Sequence, residues 1–140
     1  MSLFLQLNFL ASLFGTIGSL YFSEVMQFPP CTLCWYQRIF FYPLVVIFGV
    51  AIWKSDRGYL KYAFPLIVIG LMVAIYHNLL YYGVIAAELT PCTQGVSCST
   101  KQLEMFGFIT IPLLSMVGFL VAFILLILDS RTSERVLHEK

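Results

Sequence analysis

Residues 62–82 read YAFPLIVIGLMVAIYHNLLYY, twenty-one positions without a single Asp, Glu, Lys or Arg. At about 1.5 Å per residue an α-helix of this length is long enough to cross a hydrocarbon core of about 30 Å. Three more runs of the same kind flank it, Leu3 to Phe22, Trp35 to Trp53 and Met105 to Leu128. None shows the apolar/polar alternation in segments of about ten residues that a membrane β-barrel requires. The reading is an all-α, polytopic membrane protein: a single domain over residues 1–140, with helices at about 3–22, 35–53, 62–82 and 105–128.

Composition agrees. Of 140 residues, 60% are hydrophobic and 11% are charged, against about 25% charged in soluble domains. So few charges cannot cover a water-dissolved globule, whereas lipid asks for no polar covering. A net charge of +1 gives no reason to expect nucleic acid as a partner. The first run lacks a basic residue over Met1 to Gln6 and exceeds the apolar core of an ordinary signal peptide, so it reads as a retained helix.

Basic residues set the expected orientation. Lys54, Arg57, Lys61, Arg131, Arg135 and Lys140 lie in the second connection and the tail, while Arg38 and Lys101 lie at the opposite ends of the spans. Positive residues stay on the cytoplasmic side, so both termini are expected there. The connections 23–34 and 83–104 then face outward, and Cys31, Cys34, Cys92 and Cys98 all lie on or beside them.

Cys31-Thr32-Leu33-Cys34 is a CxxC closing onto a helix N-terminus, where orphan amides and the helix dipole favour a thiolate. On that ground Cys34 is the better nucleophile candidate. Cys92 and Cys98 bracket Thr93-Gln94-Gly95-Val96-Ser97, a polar loop able to bring two sulfurs together. Two pairs on one face suit a relay by thiol–disulfide exchange. Two structural disulfides would use the same inventory, and a metal site of four cysteines is a further alternative, disfavoured by the five residues inside the second pair.

Within the spans two ionisable residues stand out. Arg38 lies one helical turn below Cys34, and His77 lies at a matching depth in the third run. Such residues mark sites by default, and together they suit the head group of a lipid-soluble redox carrier. A snorkelling anchor explains Arg38 as well, and a hydrogen-bonded core histidine explains His77. Trp35, Tyr36, Trp53, Tyr59, Tyr62, Tyr81 and Tyr82 read as an interfacial belt. Gly15, Gly18, Gly70 and Gly118 read as points of close helix approach, and Pro43, Pro65 and Pro112 as possible kinks.

Taken together, Pro30-Cys31-Thr32-Leu33-Cys34-Trp35-Tyr36-Gln37-Arg38, the later Pro91-Cys92 with Cys98, and four spans resemble the DsbB/BdbC family of disulfide-generating membrane oxidoreductases. The segment from Cys92 to Cys98, followed by Phe106-Gly107-Phe108-Ile109-Thr110-Ile111-Pro112, is more similar to the BdbC-like branch. In the related vitamin K epoxide reductases the CxxC follows the loop pair, whereas here it precedes it. The resemblance implies a relay in a bacterial plasma membrane, from a DsbA/BdbD-like thioredoxin-fold thiol oxidase outside the cytoplasm to a membrane quinone, ubiquinone or menaquinone. It further implies that Cys92 takes the mixed disulfide with the partner, that Cys98 engages Cys31, and that Cys34 faces the quinone with Arg38, while His77 matches the family's third-helix histidine by approximate position. Gln37 stands where a Glu often precedes the arginine in enterobacterial members.

Overall fold

The computed structural model describes residues 2–27, 29–84 and 110–138, with side chains through Thr132 in the last segment. Helix α1 spans Leu3–Leu20, α2 Thr32–Lys54, α3 Tyr59–Tyr81 and α4 Ile111–His138. All four are long and apolar enough to cross a membrane. Each packs on its neighbours in chain order and α4 closes on α1, while α2 and α4 scarcely meet across the diagonal. The result is a four-helix bundle, with no strand among the described residues.

The helix ends follow from local chemistry. Ser2 caps α1 by accepting the Leu5 amide at 3.1 Å. At its far end α1 widens into a π-helical turn, Tyr21–Val25, closed by the Met26 amide donating to the Tyr21 carbonyl at 3.2 Å. Pro29 and Pro30 then hold the chain extended, and Cys31, with ψ at 169°, is the residue from which α2 starts. That start is three residues earlier than the apolar run suggests. The whole CxxC is thereby drawn into the first helical turn. Ser55 ends α2 in the left-handed region at φ 50°. Asp56 then accepts the Gly58 amide at 2.8 Å, turning the chain into α3.

At the far end of α3, Gly83 adopts φ +73°. Its amide donates to the Leu80 carbonyl at 3.1 Å, and the Val84 amide donates to Leu79 at 2.9 Å. This pair of bonds is a Schellman stop, which demands a residue tolerant of positive φ. Helix α4 opens with Thr110 Oγ1 accepting the Leu113 amide at 3.3 Å. Pro112 therefore sits in the first turn, where its missing N–H costs no bond and it need not kink the helix. Pro43 and Pro65 lie inside α2 and α3 without ending them.

Two aromatic rings set the helix spacing at mid-bundle. Phe119 is fully buried against Gly70, where an added Cβ would stand 2.2 Å from its Cε1 atom. Phe41 fills the notch at Gly15, where the corresponding gap is 2.6 Å. The two rings meet edge to face with centroids 5.0 Å apart. A chain of contacts thus joins α1, α2, α4 and α3, and Gly15 and Gly70 act as the close-approach positions expected of them. Gly18 differs. A Cβ there would meet nothing within 4 Å, because Gly18 borders a cavity.

At the bundle end away from Cys31, Asp129 is buried and accepts hydrogen bonds from Ser2 Oγ and Tyr59 Oη. This clamp ties α1, α3 and α4. It corrects two expectations: Tyr59 is 5% exposed and belongs to the core, not to the interfacial belt, and Asp129 lies inside α4 rather than opening a tail. Trp53, Tyr62 and Tyr82 keep exposed positions near helix ends, as a belt requires.

Candidate functional site

Helix α2 delivers Cys31, Cys34, Gln37 and Arg38 from its first two turns, and α3 delivers His77 from its last. Cys31 and Cys34 are free thiols whose sulfurs lie 3.0 Å apart. One turn of helix separates their backbones, which is why the CxxC spacing brings the sulfurs together. Cys31 is buried against Leu33 and Leu80. Its sulfur points at α3 and lies 3.7 Å from His77 Nε2.

His77 is 1% exposed and is held from both sides. The Gln37 side-chain amide, 5% exposed, donates to His77 Nδ1 at 3.3 Å. That bond leaves the ring proton on Nε2, directed at the Cys31 sulfur. Hydrogen bonding from the Cys34 thiol lowers the Cys31 pKa most, and the hydrogen bond from His77 lowers it further, against the opposing effect of burial. Cys31 is therefore held well below the ordinary thiol range. These surroundings favour the thiolate on Cys31, whereas helix position alone favours it on Cys34.

Cys34 faces the other way. It lines a cavity of about 200 Å³ between α1, α2 and α4, together with Gln37 and Arg38 of its own helix. Phe14, Phe22, Phe41, Ile111 and Leu114 supply apolar wall, and Ser19 and Ser115 supply hydroxyls. The Arg38 guanidinium is fixed at this wall: Nε donates to Ser19 Oγ and Nη2 to the Ser19 carbonyl, each at 3.0 Å. It also lies over the Trp35 ring at 5.5 Å from the centroid, a cation–π contact. Tyr42 Oη donates to the same Ser19 hydroxyl at 3.4 Å.

The sequence-derived candidates Cys31, Cys34, Arg38 and His77 thus converge at one end of the bundle. Arg38 borders the cavity, whereas His77 does not; it serves Cys31. Cys92 and Cys98 lie outside the described residues. Two contributors escape a linear reading. Ser19 is the next-to-last residue of α1, in a run that also holds Gln6, Asn8, Ser12 and Thr16, so nothing local singles out its hydroxyl. Gln37 is the third residue after Cys34, hence on the same helix face, and its signal is an uncharged amide beside an intramembrane arginine.

An apolar cavity bearing one arginine, one amide and hydroxyls, with a thiol on its wall, has the chemistry of a pocket for a small planar carbonyl compound. The comparisons give the family. The family model described as "Disulfide bond formation protein DsbB" matches residues 2–128. The chain belongs to the DsbB family. Among relatives of this DsbB-family protein, disulfide bond formation protein C of Bacillus subtilis is 42% identical over 125 residues, which cover 89% of this chain and 91% of the relative. A probable disulfide formation protein C 2 of Bacillus cereus is 47% identical over 112 residues, 80% of each chain. A probable disulfide formation protein of Metapseudomonas resinovorans is 43% identical over 128 residues, 91% of this chain and 89% of the other. No solved structure matches significantly. The expected likeness to the BdbC-like branch is met, and the protein is a multi-pass membrane protein of disulfide bond formation.

Proposed function

We propose that this DsbB-family protein reoxidises a DsbA/BdbD-like thioredoxin-fold thiol oxidase outside the cytoplasm and passes the two electrons to a membrane quinone. The observation that carries this reading is that Cys31 meets His77 while Cys34, its sulfur 3.0 Å away, is a lining residue of the Arg38 cavity. A structural disulfide has no need of a thiolate-holding histidine or of a cavity beside one sulfur. A relay needs both.

The steps balance. A partner thiolate attacks the Cys92–Cys98 disulfide at Cys92 and releases the Cys98 thiolate. The second partner thiolate displaces Cys92, leaving the partner oxidised and the loop pair reduced. Cys98 next attacks the Cys31–Cys34 disulfide at Cys31, and Cys92 resolves that bond, so the electron pair now resides on the CxxC. A quinone bound in the cavity supplies an acceptor for two electrons and two protons.

The chain's own residues prepare that transfer. Cys34 places its sulfur on the cavity wall, and Arg38, anchored by Ser19, holds positive charge and a planar fork of N–H donors there. His77 keeps Cys31 ionised when reduced, and stabilising the dithiol makes the corresponding disulfide a stronger oxidant of the loop pair. Six of the eight basic residues lie in the second connection and the tail, which supports cysteines facing the outside of a bacterial plasma membrane.

Mixing purified protein, a reduced thioredoxin-fold partner and a short-chain quinone tests the reading. Quinone absorbance should fall with one quinone consumed per partner disulfide formed. A partner that stays reduced while quinone is present would contradict it.

A further inference from the structure

Cys31 Sγ, Cys34 Sγ and His77 Nε2 lie within 4.8 Å of one another. We propose that these three atoms, in the reduced protein, form a site for a single zinc ion, and that zinc seated there holds the CxxC reduced and blocks its reoxidation.

Two thiolates and one imidazole are the donor set that zinc prefers, and tetrahedral bonds of about 2.3 Å to sulfur and 2.0–2.1 Å to nitrogen place sulfurs about 3.8 Å apart and sulfur and nitrogen about 3.6 Å apart. The observed separations are 3.0 Å between the sulfurs and 3.7 Å from Cys31 Sγ to His77 Nε2. The Cys31 to His77 separation already meets that geometry, and the two sulfurs need to part by about 0.8 Å. Rotating the Gln37 amide by half a turn offers its carbonyl to His77 Nδ1–H, which frees the Nε2 lone pair toward the metal and fixes the ring as an outer-shell partner does. Cys34 borders the cavity, so a water molecule can complete the fourth position from that side.

Charge favours the complex. Two thiolates neutralise the divalent ion, so no net charge is buried at this apolar bundle end. On binding, the Cys34 thiol gives up its proton to solvent, Cys31 being ionised already, and no electron moves. The disulfide form cannot chelate in this way, since its sulfurs are bonded to each other at about 2.05 Å and carry no ionisable proton. Zinc binding and oxidation are therefore mutually exclusive. The inference does not depend on any quinone or thiol partner.

The test uses the full chain in detergent with Cys92→Ser and Cys98→Ser, so that the loop pair supplies no ligand, reduced by a phosphine and exposed to zinc ions alone. About one zinc per chain should survive desalting, and none should remain when the CxxC has been oxidised beforehand. X-ray absorption at the zinc edge should show two sulfur ligands and at least one imidazole nitrogen. His77→Gln should weaken zinc affinity at least tenfold. Absence of retained zinc, equal retention by the oxidised chain, or a coordination shell without sulfur overturns the proposal. So does undiminished affinity in folded H77Q. Should H77Q fail to fold, a shell containing sulfur but no imidazole in the chain that keeps His77 overturns it equally.

Discussion

Cys31 and Cys34, with sulfurs 3.0 Å apart, face different surroundings: Cys31 meets the His77 ring, and Cys34 forms part of the cavity wall beside Arg38. One helical turn thus separates a cysteine beside an imidazole from a cysteine on the wall of an apolar cavity. The consequences can be measured separately.

Cys31 should alkylate almost independently of pH. Its pKa is lowered by the Cys34 hydrogen bond and by His77, so the reduced protein keeps the thiolate far below the pH at which an ordinary thiol protonates. An unperturbed thiol of pKa ~8.5 gains roughly two-hundredfold in thiolate between pH 6 and pH 9, whereas Cys31 should change by less than a few-fold. For a depressed pKa the linked stability is fully present above the unfolded value and fades as pH falls toward the folded one. Reduced protein should therefore lose stability toward acid relative to Cys31→Ser. Alkylation of the C34A/C92S/C98S chain should regain a steeper pH dependence, because the principal donor to Cys31 is gone.

Arg38→Gln should raise the quinone KM or lower kcat by roughly ten- to a hundredfold, the range for losing one charged hydrogen bond of about 1.5–3 kcal/mol, while partner exchange at Cys92 continues. Arg38→Lys should recover only part, since an ammonium keeps the charge without the fork. Unchanged quinone kinetics in folded R38Q, with lost stability alone, would reduce Arg38 to an anchor for α1.

Gly70→Ala and Gly18→Ala should separate fold from cavity. The first drives a methyl to 2.2 Å from the Phe119 ring and should cost about 1–3 kcal/mol of stability, read as a lower unfolding temperature in detergent. The second meets nothing within 4 Å, so stability should hold while the methyl occupies cavity space and weakens quinone binding.

A partner that lacks its second cysteine cannot displace Cys92 after attacking the Cys92–Cys98 disulfide, so a mixed disulfide between that partner and Cys92 should accumulate on non-reducing gels. After reduction, all four cysteines should label with a membrane-impermeant thiol reagent added from outside. Equal trapping of partner by Cys31 and Cys92 would reverse the assigned order, and labelling of either from the cytoplasm alone would end the link to exported proteins.

Much of this was legible in the chain because its strongest signals are local. Twenty-residue runs without charge have few folds available to them in lipid, and a CxxC at a helix start puts its sulfurs together by helical periodicity alone. Boundaries were less legible. Pro29 and Pro30 fix the start of α2 by restricting backbone rather than by hydropathy, and α4 continues through Asp129 because Ser2 and Tyr59 satisfy its carboxylate. Those partners are 127 and 70 residues distant in sequence. The Gln37–His77 bond spans 40 residues, and no local pattern announces it; only packing of α2 on α3 pairs the amide with the ring and turns His77 toward Cys31. The same packing explains why the matching depths of Arg38 and His77 do not put them in one pocket.

The central claim, that electrons leave through Cys34, is most directly tested by a single turnover without any partner. Reduced C92S/C98S protein is mixed with excess short-chain quinone, and both quinol and the protein's own disulfides are counted. One quinol per chain should form together with a Cys31–Cys34 disulfide, and the additional change Cys34→Ser should abolish both. Quinone reduction at the full rate without Cys34, or with Cys31 and Cys34 remaining as thiols, would contradict the account.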